Sequence, residues 1–137
     1  MAVILDGKAI ASRIRAKVKE RVAALPKPPL LAVVLVGEDP ASALYVGLKQ
    51  KACEEAGIKF ERLAYPENIS EADLVKKIAE LNARPDVTGI LVQLPLPSQD
   101  ANTVVAAIDP KRDVDGFHPD NLRALADGKP GLVPAVA

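Results

Sequence analysis

The chain has 137 residues, one cysteine, and 18 basic side chains balanced by 18 acidic ones, which is the size of one domain able to bury about two thirds of its unfolded surface. That balance, with no long run of either sign, argues against a nucleic-acid footprint or an anionic membrane surface as partner. A lone cysteine excludes an internal disulfide framework and argues against a cysteine-based zinc site. The opening "MAVILDGKAIASRIR" has too short an apolar run for a signal peptide or a membrane span, so a soluble, cytoplasmic domain is expected.

Ile10, Ile14, Val18, Val22 and Leu25, three and four apart, predict a first helix in "DGKAIASRIRAKVKERVAAL", capped by Asp6 and stopped by "PKPP". "LLAVVLVG", residues 30–37, is a continuous apolar run suited to a strand covered on both faces. A second helix follows, with Asp39 as N-cap, Pro40 at the first helical position and Gly57 at the exit. Wound at about 100° per residue, it gathers Ala41, Leu44, Tyr45, Val46, Leu48, Ala52, Cys53 and Ala56 on one broad arc, expected to face inward. Gly47, Gln50, Lys51 and Glu54 fill the other side, yet Lys49 falls inside the apolar arc.

"IKFERLAYP" alternates like a second strand. "SEADLVKKIAELNA" predicts a helix capped by Ser70, with Leu74, Ile78 and Leu81 inward and Asp73 where a capping box carries Glu or Gln. "VTGILVQLPLP" predicts a third strand ended by prolines, and "ANTVVAAI" a shorter fourth helix. The remaining "DPKRDVDGFHPDNLRALADGKPGLVPAVA" reads as rich in turns. Strands alternating with helices predict an α/β fold in three layers, a mostly parallel sheet with helices on both faces. Ligands of such sheets sit outside the carboxyl ends of the strands, here the 37–42, 66 and 93–97 loops.

Ser42, Tyr45 and Lys49 line one stripe just after the first strand. Lys49 has two readings: a lysine with packed stem and wet head, or an amine in a partly desolvated pocket, suited to proton transfer. Gln93 is the polar side chain within "GILVQLPLP" and emerges at the sheet's carboxyl edge, either to satisfy loop backbone or to face a ligand. "RDVDGF" places Asp113 and Asp115 two apart before Gly116, a turn pattern too poor in oxygen ligands for calcium. His118, the single histidine, lacks neighbours with metal-ligand spacing, and Cys53 reads as a small buried hydrophobe. No GxGxxG, Walker or GxSxG motif occurs.

Together "VGEDPASALYVGLKQKACEEAGI", "GILVQLPLP" and "KRDVDGFHP", in this order, resemble the N-terminal catalytic domain of the bifunctional methylenetetrahydrofolate dehydrogenase/methenyltetrahydrofolate cyclohydrolase family. The resemblance runs from about residue 3 to residue 134. It implies one-carbon metabolism feeding purine biosynthesis: oxidation of 5,10-methylene-tetrahydrofolate with NADP, or NAD in some members, then hydrolysis of the methenyl product to 10-formyl-tetrahydrofolate. Matched by motif position, it implies Lys49, Gln93 and Asp115 as the catalytic set. Tyr45 then packs against the folate rings, Asp115 meets the amino-bearing pterin face, and Ser42 joins the substrate contacts.

Departures accompany the likeness. The family continues into a Rossmann domain that binds the nicotinamide cofactor, whereas this chain ends at Ala137 with "VPAVA" where "VPCTPxG" is usual. "NLRALADG" replaces an Asn-then-Gly-Arg-Leu pattern and displaces Arg123 from its usual place. The expectation is a single folate-site domain over 1–137, without its own NADP or metal, at most a weak cyclohydrolase, with tetrahydrofolate derivatives as partners. Self-association, or a separate C-terminal half, would cover surface near residues 120–137. The alternative is a non-catalytic binding or structural half-protein.

Overall fold

Seven consecutive apolar residues leave no polar face, so Leu30–Val36 needs cover on both sides, and it forms the middle strand, β1, of a three-stranded sheet. The structure is a computed structural model and describes residues 5–135. Strands β2 (Lys59–Tyr65) and β3 (Gly89–Val92) flank β1 in the order β2-β1-β3, both in parallel. Leu30 pairs with Lys59 through to Val36 with Tyr65, and Leu31 with Gly89 through to Val34 with Val92. β3 is buried throughout, whereas edge strand β2 mixes exposed and half-buried positions.

Helix α2 (Pro40–Ala56) leads from β1 to β2, and α3 (Glu71–Ala83) leads back past β1 to β3. Two crossovers of one hand that run in opposite directions must put their helices on opposite faces. They do. Ala32, Val34, Val36, Ile90 and Val92 pack with Leu74, Ile78 and Leu81 of α3 and Val104 of α4 (Ala101–Ala106). Val33, Leu35 and Leu91 point the other way, to Val46 of α2. The expected three-layer α/β architecture is therefore present.

Local signals place the helix ends. Asp6 accepts the Lys8 and Ala9 N–H groups at the start of α1 (Gly7–Ala23). Asp39 accepts that of Ser42, and α2 exits through Gly57 at φ +79°. Ser70 Oγ accepts the Asp73 N–H at 3.0 Å and donates its hydroxyl to the Asp73 carboxylate at 2.7 Å. The shorter acid thus closes the cap on the hydroxyl.

Three expectations need correction. The apolar arc of α2 is only half covered: Val46, Cys53 and Ala56 are buried, but Leu44, Tyr45 and Leu48 are more than half exposed. Burial on a helix is set by what lies over it, and α2 meets the sheet on a narrow line. The α1 stripe buries nothing fully; Val18 and Val22 are half-buried, while Ile10, Ile14 and Leu25 are exposed. Finally, the turn-rich C-terminal stretch contains a further helix, α5 (Pro119–Ala126), begun by His118 and Pro119. Residues Val136 and Ala137 of the altered tail lie outside the described residues.

Candidate active site

On α2 the buried line is Ser42, Val46, Cys53 and Ala56, all within roughly 40° of the Ser42 direction at 100° per residue. Lys49 falls in the middle of that line and is half-buried. Its ammonium donates to Gln93 Oε1 at 2.9 Å. Gln93 itself follows the last residue of β3, and its backbone N–H continues the ladder to the Val34 carbonyl at 2.8 Å. Its Nε2 donates to the Leu94 carbonyl at 2.8 Å. Both ends of the amide are thereby held, and its oxygen is fixed toward the amine.

Asp115 lies on the turn beyond, close enough for the Lys49 charge to act on its carboxylate. Burial pushes the Asp115 carboxyl above the usual carboxylate range; Lys49 pulls it back, and Asp113 adds to the rise. A cavity of about 10 Å³ beside it is lined by Leu91, Leu94, Asp113, Asp115 and Phe117, among others. Tyr45, one helical turn before Lys49, keeps 55% of its surface open. Ser42 is 3% exposed and sits in the first turn of α2, where its N–H meets Asp39 at 2.7 Å. That N–H holds the Asp39 carboxyl below its ordinary range.

The structure thus brings Lys49, Gln93 and Asp115 together at the carboxyl edge of β3, with Tyr45 on the same helix flank and Ser42 inside it. His118 does other work. Its Nδ1 accepts the Asp120 N–H at 3.1 Å as the cap of α5, so Nε2 carries the proton donated to the Ala106 carbonyl at 3.2 Å. Cys53 is buried on the α2 line, and burial raises its thiol. Arg123 stands exposed in the last turn of α5.

Two polar residues escaped the sequence reading. Gln99, 8% exposed, donates to the Glu67 and Ile69 carbonyls at 3.1 and 2.7 Å, tying the loop after β3 to the loop after β2. Asn121, also 8% exposed, joins α5 to Asp113 at 3.0 Å. The "HPD" start of α5, with proline at the first position and an acid in the first turn, is the signal that could have found it.

Comparison with known proteins bears on the family and the fold. The family described as "Tetrahydrofolate dehydrogenase/cyclohydrolase, catalytic domain" matches residues 5–115. "Bifunctional protein FolD" of Acidiphilium cryptum is 56% identical over 134 residues, covering 97% of this chain and 48% of that protein. The FolD methylenetetrahydrofolate dehydrogenase/cyclohydrolase structure from Campylobacter jejuni superposes with a TM-score of 0.94 at 43% identity, over 96% of this chain and 49% of that one. The Trypanosoma brucei FolD structure, described as complexed with NADP cofactor and inhibitor, gives 0.90 at 31% identity, over 97% of this chain and 48% of that one. The chain spans about half the length of the curated relatives it matches. It belongs to the tetrahydrofolate dehydrogenase/cyclohydrolase catalytic-domain family.

Proposed function

We propose that the chain supplies the folate side of a methenyl-tetrahydrofolate cyclohydrolase site, in which Lys49 exchanges the proton that hydrolysis requires. The observation that supports this most is the 2.9 Å contact from Lys49 Nζ to Gln93 Oε1, made from the middle of a buried helix line. The amidinium carbon of 5,10-methenyl-tetrahydrofolate is electrophilic. Water adds to it, the added oxygen loses both its protons as the formyl carbonyl forms, and the bond to N5 breaks as N5 gains one of them, leaving a 10-formyl group and releasing one proton overall. Lys49, acting as the free amine, takes the first proton and returns it to the leaving nitrogen, while the second leaves to solvent as the carbonyl forms. Gln93 holds the amine in place.

Asp115 meets the amino-bearing edge of the pterin: its half-buried carboxylate is shifted by burial and by the charges of Lys49 and Asp113, and by no hydrogen bond among the described residues. Tyr45 offers an open ring face for stacking one turn away. Ser42, buried in the first turn of α2, serves the substrate only indirectly, by fixing the start of the helix that carries Tyr45.

NADP, the oxidant associated with such enzymes, does not fit the described residues. The turn after β1 holds Gly37, Glu38, Asp39 and Pro40. The Asp39 carboxylate already takes the first-turn N–H of α2 that a pyrophosphate would need. These residues therefore supply no hydride acceptor of their own.

The purified chain should remove the methenyl absorbance of 5,10-methenyl-tetrahydrofolate faster than buffer, and Lys49→Ala should return the rate to that of buffer. A Lys49→Ala rate equal to wild type removes Lys49 from the chemistry. The openness of Tyr45 favours a second, binding-only reading; folic acid bound by a wild type that gives no acceleration would select it.

A further inference from the structure

We infer that Asp113 is a positioning residue for this site: its buried carboxylate fixes the turn that presents Asp115 to the pterin, an inference that rests on the folate reading above. Asp113 is 1% exposed. Its Oδ1 accepts the Gly116 N–H at 3.1 Å, and its Oδ2 accepts the His118 N–H at 2.8 Å and Asn121 Nδ2 at 3.0 Å. The Gly116 N–H also reaches the Asp113 carbonyl at 3.3 Å. Residue 115 therefore lies inside a loop closed twice, once through backbone and once through the Asp113 side chain.

That loop is held from three directions. Asp113 bridges in parallel to Ile90 of β3. Asn121 reaches from α5 to the Pro110 carbonyl at 2.8 Å as well as to Asp113. From above, the tail crosses Gly116, whose φ is +74° and where an added Cβ would stand 2.7 Å from Pro134 N. A surface turn needs no charge buried this deeply, and burying one is costly unless donors surround it. Here they do. The two carboxylates divide the labour: Asp113 gives its oxygens to the fold, and Asp115 keeps its own for a ligand.

Calorimetric titration with folic acid, whose pterin carries the same amino-bearing edge, tests this in wild type, Asp113→Asn, Asp115→Ala and the double variant. Asp113→Asn sets an amide nitrogen against N–H donors and should weaken binding about tenfold, the worth of one buried hydrogen bond. Asp115→Ala should weaken it at least as much, and the double variant no more than Asp115→Ala alone. The Tm loss from Asp113→Asn should be the same in both backgrounds, which separates positioning from stability. Equal weakening by Asp113→Asn with and without Asp115, or none at all, overturns the inference. Wild-type affinity in Asp115→Ala would instead overturn the folate reading, and this inference with it. Should Asp113→Asn not fold, Asn121→Ala removes one of the three bonds; a loss of about threefold confined to the Asp115 background supports the inference, and a loss indifferent to Asp115 overturns it.

Discussion

On the α3 side of the sheet, eleven buried side chains from β1, β3, α3, α4 and their connections form one cluster; on the α2 side the corresponding cluster has four among the described residues. The first side has Leu74 and Ile78 at 0% exposure. The second rests on Val33, Leu35, Leu91 and Val46, beneath a helix whose Leu44, Tyr45 and Leu48 stay open. Lys49, Tyr45 and Ser42 all belong to the thinner side. The closed face holds the larger buried cluster, and the helix on the other carries an amine, an aromatic ring and a serine along or beside its buried line.

Substitutions on the two faces test that contrast. Ile78→Ala, on the closed face, should cost about 3–4 kcal/mol in denaturant unfolding, enough to threaten a domain of this size. Val46→Ala, in the smaller cluster, should cost about 2 kcal/mol. If Val46→Ala proved the worse of the two, the faces would not differ as described. Asp115→Asn should move stability the other way. Burial raises the Asp115 carboxyl in the folded state, so its contribution is fully present below the ordinary carboxylate range and is lost as pH rises through the raised value. At neutral pH, Asp115→Asn should therefore raise Tm modestly, with the gain vanishing at low pH; a gain that persists at low pH would come from some other cause. Leu48→Ser, on the open flank, should change the unfolding free energy by no more than about 0.5 kcal/mol.

What could be read in advance follows from how local each signal is. β1 and the starts of α2 and α3 were legible because an unbroken apolar run, Asp39-Pro40 and Ser70 act within a few residues of themselves. The α2 arc was half misread: Leu44 and Leu48 look like core residues until one knows that the sheet meets the helix along Ser42, Val46 and Ala56. α5 was missed because its cap is an imidazole and its Leu122 and Leu125 remain exposed. Periodicity turned Lys49 inward, yet its partner Gln93 lies 44 residues away, and only the family likeness joined the two. For the DxDG stretch, spacing gave a turn; which aspartate the fold takes and which it leaves open depends on donors from Gly116, His118 and Asn121.

Lys49 and Lys51 sit two residues apart on α2, the first half-buried against Gln93 and the second exposed. Heteronuclear NMR of lysine labelled at its terminal methylene, followed while folic acid is added, compares them within one molecule. A ligand-dependent shift of the Lys49 resonance with Lys51 unmoved is the predicted result. Equal movement of both, or a Lys49 signal indifferent to saturating ligand, would contradict a folate site built around that amine.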